Sequence, residues 1–120
     1  MTVRRLKTYT GNTGFVYQYY FVGKRPAVRQ PGEVPSTEYV FDVTSDRKNT
    51  YAISVFLSSA VISGWAALHG RSLTDSEQYA AVKMRLFEAF DELADLPRRG
   101  RQLVVDARSL EAALSTLGVD

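Results

Sequence analysis

The most distinctive chemistry in the sequence is a run of aromatic side chains over residues 15–22. Five of its first seven positions carry a ring, and aromatic residues of this kind favour a β-strand. A ring offers a flat apolar face that can stack on a nucleic-acid base or pack against a second protein. The candidate partner-binding residues are Phe15, Tyr17, Tyr19, Tyr20 and Phe21.

The side of this strand that meets the core decides whether the rings are available. Successive side chains point to opposite faces of a sheet, so four rings share one face and Tyr20 lies on the other. If the aromatic face is inside, the rings form core and the tyrosine hydroxyls need partners. If it is outside, four rings stand in water as a stacking platform or as a contact between copies. Aromatic rings more commonly form core, and the sequence leaves both arrangements open.

Basic residues flank the aromatic run and are unevenly distributed along the chain. Residues 1–50 carry eight Lys and Arg against four acids, whereas residues 51–120 carry seven against nine. Lys and Arg near stacked rings could neutralise phosphates, or they could keep an aggregation-prone strand from pairing with other chains. The candidate anion-binding residues are Arg4, Arg5, Lys7, Lys24, Arg25, Arg29, Arg47 and Lys48.

Residue types that could support catalysis are few. The chain has no cysteine, which excludes disulfides, thiolate nucleophiles and cysteine-based metal sites. His69 is the only histidine, and its place before Gly70 is typical of a residue that bonds the last carbonyls of a helix. Asp42 interrupts an apolar strand pattern and is expected on a solvated face. Phosphate-binding and nucleophile-elbow motifs are absent, so we expect no catalytic residue, metal or cofactor.

The first half of the chain alternates with period two, which predicts β-strands. The predicted strands span residues 2–10, 15–22, 38–45 and 51–57. Glycine at positions 11 and 14 predicts a hairpin between the first two strands. Three prolines and two glycines over residues 23–37 predict a long loop.

The second half of the chain has the period of helices. A helix is expected to begin at Ser58 or Ser59, to place Val61, Ile62, Trp65 and Leu68 on one face, and to end at Gly70. Thr74 and Glu77 have the spacing of a capping box, which predicts a second helix over residues 75–95. A short strand is possible at residues 103–105, and a last helix is expected over 107–117.

The sequence therefore predicts a single α+β domain over residues 1–120: a four-stranded antiparallel sheet of two hairpins, helices on one face and a short C-terminal β-α extension. Its length suffices for one hydrophobic core. The longest apolar run is too short to span a bilayer, and basic N-terminal residues without an apolar stretch do not resemble a secretory signal. We expect a cytoplasmic protein with no membrane partner.

Three functions remain open, and a binding role is favoured over catalysis. The leading hypothesis is self-association, as a homodimer, through the aromatic sheet. The second is weak, sequence-tolerant binding of single-stranded nucleic acid by the basic N-terminal half. The third is a small enzyme or ligand-binding domain with a pocket between sheet and helices that uses Asp42, His69 or the tyrosines.

Overall fold

The structure is a computed structural model that describes residues 6–11, 14–28, 31–92 and 101–119. Five strands and three helices lie in these ranges. In chain order they are β1 (Lys7–Thr10), β2 (Val16–Ala27), β3 (Ser36–Thr44), β4 (Tyr51–Ser58), α1 (Ser59–His69), α2 (Asp75–Glu92), β5 (Gln102–Val105) and α3 (Ala107–Thr116).

The strands form one sheet in the order β1-β2-β3-β4-β5. β1 to β4 are antiparallel neighbours joined as consecutive hairpins. The predicted turn between β1 and β2 is confirmed, because Gly14 has a φ of 86° and donates its N–H to the carbonyl of Gly11. A positive φ at this position suits a residue without a Cβ.

The sheet has five strands rather than four and is mixed rather than wholly antiparallel. β5 pairs with β4 in the parallel direction, with Val55 opposite Leu103. The chain reaches this position because α2 runs back across the sheet, which is the crossover that parallel neighbours require. The C-terminal extension was therefore expected correctly as a β-α pair, but its strand belongs to the main sheet.

The second strand is longer than the sequence predicts. Residues 23–27, which belong to the loop predicted over 23–37, continue β2 and pair with the start of β3, where Pro26 lies opposite Thr37. The described part of β1 pairs with β2 only as far as Tyr19. Pro26 thus lies in an edge section of β2, where a missing N–H is tolerated. The loop prediction was wrong for these five residues.

The helix ends follow the predicted capping chemistry. Ser58 caps α1 by accepting a hydrogen bond from the N–H of Ala60, and Gly70 ends it with a φ of 72°. The capping box of α2 is confirmed: Thr74 donates its N–H to Glu77 at 2.9 Å, and Glu77 donates its N–H to the Thr74 hydroxyl at 3.2 Å. The predicted end of this helix, residues 93–95, lies outside the described residues.

The hydrophobic core lies between one face of the sheet and the three helices. Each helix contributes to the same cluster of buried side chains, which confirms the α+β arrangement with helices on one face. We call this face of the sheet the inner face and the opposite one the outer face. The largest fully buried side chains are Tyr39, Phe41, Ile53, Leu57, Leu86, Leu110 and Leu114.

Candidate functional site

The aromatic face of β2 is part of the inner face. Tyr17 and Tyr19 are buried, and Tyr17 stacks on Phe90 of α2 with ring centroids 4.3 Å apart. Phe21 packs edge-on against Tyr79 of α2 at 5.0 Å. Burial raises the pKa of both Tyr17 and Tyr19 above the ordinary value. Of the two arrangements that the sequence leaves open, the structure has the one in which these rings form core.

The other two candidate rings lie apart from each other. Phe15 precedes β2 and is 65% exposed. Tyr20 is half-buried on the outer face, where its hydroxyl donates to the carboxylate of Asp42 at 2.7 Å. The five rings therefore do not form one contact surface.

Arg25 takes part in a polar network on the outer face. Its Nε donates to one oxygen of Glu38 at 2.7 Å, and the hydroxyl of Ser54 donates to the other oxygen at 2.6 Å. These two donors hold the pKa of Glu38 below its ordinary value. The charge of Arg25 is thus already compensated within the chain.

Arg47 and Lys48 lie at the tip of the β3–β4 hairpin. Asp46 organises this tip by accepting the backbone N–H groups of Lys48 and Asn49, each at 2.8 Å, which lowers its pKa to about 2. Arg25 pairs with the opposite end of β3, and six residues of strand place it roughly 20 Å from this tip. The remaining basic candidates are separate: Lys24 lies over the Tyr39 ring, Lys7 belongs to β1, and Arg4, Arg5 and Arg29 lie outside the described residues.

Asp42 and His69 lie on different sides of the sheet. Asp42 belongs to the outer face, whereas His69 ends α1 in the helical layer, with Nε2 2.9 Å from a carboxylate oxygen of Glu111. The His69 ring also stacks on Trp65 at 4.2 Å. The structure therefore does not bring these two candidates into one pocket. Within the described ranges no three His, Asp or Glu side chains converge as metal ligands.

Helix α1 is the most apolar helix and also the least buried one. It carries no charged side chain before His69, yet only Trp65 is buried. Leu68, which the sequence pattern places on the same side of the helix as Trp65, is 83% exposed. The exposed positions of α1 are Ser59, Ala60, Ser63, Gly64, Ala67 and Leu68. The solvent side of a surface helix normally carries charged and polar side chains, whereas that of α1 carries two serines among small and apolar residues. No described helix is long and apolar enough to cross a membrane.

A shallow apolar groove lies between α1 and α3. Its volume is about 270 Å³, and Glu111 is the one charged residue in its lining. The other lining residues are Ala60, Val61, Gly64, Trp65, Leu68, Ala107 and Leu110. We call the exposed side of α1 together with this groove the α1 face.

One ion pair and one histidine–carboxylate contact border the α1 face at the C-terminal end of α1. Besides the contact of His69 with Glu111, both terminal nitrogens of Arg71 donate to the Glu77 carboxylate, at 3.0 and 2.9 Å. The Arg71 guanidinium also lies over the Trp65 ring at 5.1 Å. An apolar centre with a charged rim is the usual anatomy of a protein interface.

The sequence contains a signal for this face that its periodicity does not capture. Assigning Val61, Ile62, Trp65 and Leu68 to one side leaves only small, uncharged residues on the other: Ser59, Ala60, Ser63, Gly64 and Ala67. Hydrophobic periodicity identifies the most apolar side of a helix, but it does not show whether the opposite side carries charge. The absence of charge over residues 59–68 was the available signal.

No family model matches the sequence, and no curated protein or solved structure is significantly similar to it. A function for this chain therefore has to be argued from its own geometry.

Proposed function

We propose that this protein is a non-catalytic self-association module in which two copies pack together through the α1 face. The observation that carries the proposal is the mismatch between the apolar composition of α1 and its single buried residue, Trp65. Leaving apolar surface in water costs roughly 25 cal/mol per Å² relative to burying it. Contact with a second protein would recover that free energy.

Gly64 supports close packing of another helix on α1. Glycine in the middle of a helix costs about 0.5–1 kcal/mol relative to alanine. A Cβ added at Gly64 would meet no atom of the described residues within 4 Å beyond the adjacent backbone of α1, so no contact among these residues explains the glycine. A helix backbone from a second molecule that approaches closely at this position would explain it.

The α1 face is complementary to itself. Leu68 protrudes one turn after Gly64, and the small side chain of Ala60 lies one turn before it. Two antiparallel copies of α1 that cross at Gly64 would therefore place each Leu68 beside the partner's small residues and groove. A two-fold dimer requires this kind of self-matching surface.

The lack of charge at the centre of the α1 face also favours a second copy of the chain over a charged partner. The exposed positions before His69 carry no charge, so two copies can meet there without repulsion. A polyanion or a strongly basic protein would find no complementary charge at the centre of this face.

The edge of β2 is less suited to self-association than the aromatic composition of this strand suggests. A register shift between Phe21 and Gly23 marks a bulge, and Lys24, Arg25 and Pro26 follow it. Bulges, basic side chains and prolines are devices that prevent edge strands from pairing with other chains. We therefore place the association at α1 rather than at the sheet.

Binding of single-stranded nucleic acid has less support than self-association. A groove that binds single-stranded nucleic acid needs cations along the phosphate backbone and exposed rings for the bases on the same surface. The described basic candidates are spread over both ends of β3 and over β1, and Tyr17 and Tyr19 are buried.

Sedimentation velocity at micromolar concentration tests the proposal. We expect the wild-type protein to dimerise, and we expect Leu68→Glu to weaken the dimer by at least about tenfold, which corresponds to 1.4 kcal/mol. The physical reason is that the substitution would bury an unpaired carboxylate in an apolar contact. Because Leu68 is 83% exposed, the variant should keep its fold, which circular dichroism would check.

Phe15→Glu provides the matched control, because Phe15 is an exposed apolar residue that directly precedes β2 and does not belong to α1. It should leave the dimer intact. A wild-type protein that remains monomeric at the highest soluble concentration would refute self-association. A dimer lost in Phe15→Glu but kept in Leu68→Glu would instead place the contact at the aromatic strand.

A further inference from the structure

Two lysines face each other between β1 and α2. Lys83 of α2 has its ammonium 5.7 Å from the ring centroids of Tyr79 and Phe87 and 5.9 Å from that of Tyr19. Lys7 of β1 pairs with Tyr19 in the sheet, which brings its side chain to the same inner face. The three rings flank the half-buried Lys83, and Lys7 is exposed beside it.

No acid of the described chain balances these two charges. The positions one helical turn from Lys83 are Tyr79, Ala80, Leu86 and Phe87, so helix neighbours supply no carboxylate. Neither lysine belongs to any ion pair of the described residues. Two like charges side by side destabilise the fold unless something compensates them.

The electrostatic state of Lys83 reflects this lack of compensation. Partial burial is the largest cause that lowers its pKa below the ordinary value, and the positive charge of Lys7 lowers it further. The negative faces of aromatic rings attract a cation, but they do not remove the repulsion between the two lysines.

We propose that Lys7 and Lys83 together bind a phosphate dianion, either free phosphate or the terminal phosphate of a monoester. The rings occupy the protein side of Lys83, so the anion approaches from solvent and bridges the two ammonium groups. A dianion matches two positive charges, whereas a monoanion would leave one of them uncompensated. The site does not rest on the α1 face and is independent of self-association.

NMR of the lysine side chains, titrated with inorganic phosphate at constant ionic strength, tests the site. We expect saturable shifts of the Lys7 and Lys83 signals together and a rise in the pKa of Lys83, because a bound anion favours the charged form. Lys83→Met and Lys7→Met should each weaken binding at least about fivefold, since each removes half of the charge that holds the dianion. Phenyl phosphate in a parallel titration distinguishes a monoester from the free ion.

Lys24→Met is the matched control, because Lys24 also lies over a tyrosine ring, at 5.8 Å from the centroid of Tyr39. It should leave phosphate affinity unchanged. The proposal is overturned if the shifts do not saturate, if chloride or acetate produces the same shifts, or if Lys24→Met weakens binding as much as Lys83→Met. Lys7→Met keeps the test decisive if Lys83→Met fails to fold, since Lys7 is exposed.

Discussion

Helices α1 and α2 lie on the same face of the sheet but use their apolar side chains differently. α2 alternates charged and apolar residues, and its five buried side chains are Ala81, Val82, Leu86, Ala89 and Phe90. α1 is shorter and has no charge before His69, yet it buries Trp65 alone. The less apolar helix thus contributes more to the core.

This difference indicates two different packing roles for the two helices. The polar side of α2 faces solvent and its apolar side meets the sheet, as expected for a helix stabilised by its own chain. α1 has apolar surface beyond what the chain covers, and in monomeric proteins such patches mark interaction sites. From composition alone, α1 would be expected to contribute more buried side chains to the core than α2, which is the reverse of what the structure has.

The largest contrast should appear when a ring of α2 is removed. Phe90→Ala is expected to destabilise the fold by about 3–5 kcal/mol, because Phe90 is buried and stacks on Tyr17. Leu68→Ala in α1 should change the stability of the monomer by no more than about 0.5 kcal/mol. Urea unfolding at a protein concentration too low for association measures both. Similar losses in the two variants would show that α1 is packed within its own chain.

A smaller effect is expected at the start of α2, where stability should depend on pH. Arg71 and the N–H of Thr74 bind the Glu77 carboxylate and lower its pKa from 4.5 to about 2. A carboxylate whose pKa is lower in the folded state than in the unfolded state stabilises the fold at pH values above its unfolded-state pKa. This stabilisation is lost as the pH falls toward its folded-state pKa. The urea concentration at the unfolding midpoint should therefore decrease as the pH is lowered from about 4.5 to about 2. The decrease should be less steep in Glu77→Gln. Equal slopes in wild type and variant would contradict the prediction.

Local sequence signals were sufficient for the β1–β2 turn, for both ends of α1 and for the start of α2. The glycines at positions 11 and 14, the cap at Ser58 and the capping box of Thr74 and Glu77 act within a few residues, so the sequence displays them directly. The alternating pattern of β3 places Tyr39, Phe41 and Val43 on the side opposite Asp42, and all three are buried.

Features that depend on distant parts of the chain could not be predicted in this way. Pro26 is acceptable in β2 only because it lies in an edge section, and the position of β5 depends on where α2 returns the chain. Lys83 was missed because it follows Tyr79 and precedes Phe87 by one turn each, and its significance appears only when β1 brings Lys7 beside it. The burial of Tyr17 and Tyr19 was one of two arrangements that the sequence allowed.

The smallest expected effect, that of Gly64→Ala, distinguishes the contribution of α1 to the stability of the monomer from its contribution to the dimer. Gly64→Ala should stabilise the monomer by up to about 1 kcal/mol, because alanine is the better helix former. Its Cβ would meet no atom of the described residues within 4 Å beyond the adjacent backbone of α1. The same methyl group would hold two crossing helices apart and weaken the dimer. The free energy of unfolding, measured in urea at low protein concentration, should therefore increase. The dimer affinity, measured by sedimentation at high protein concentration, should decrease. A variant that is more stable and dimerises as well as wild type would show that the helices do not cross at Gly64.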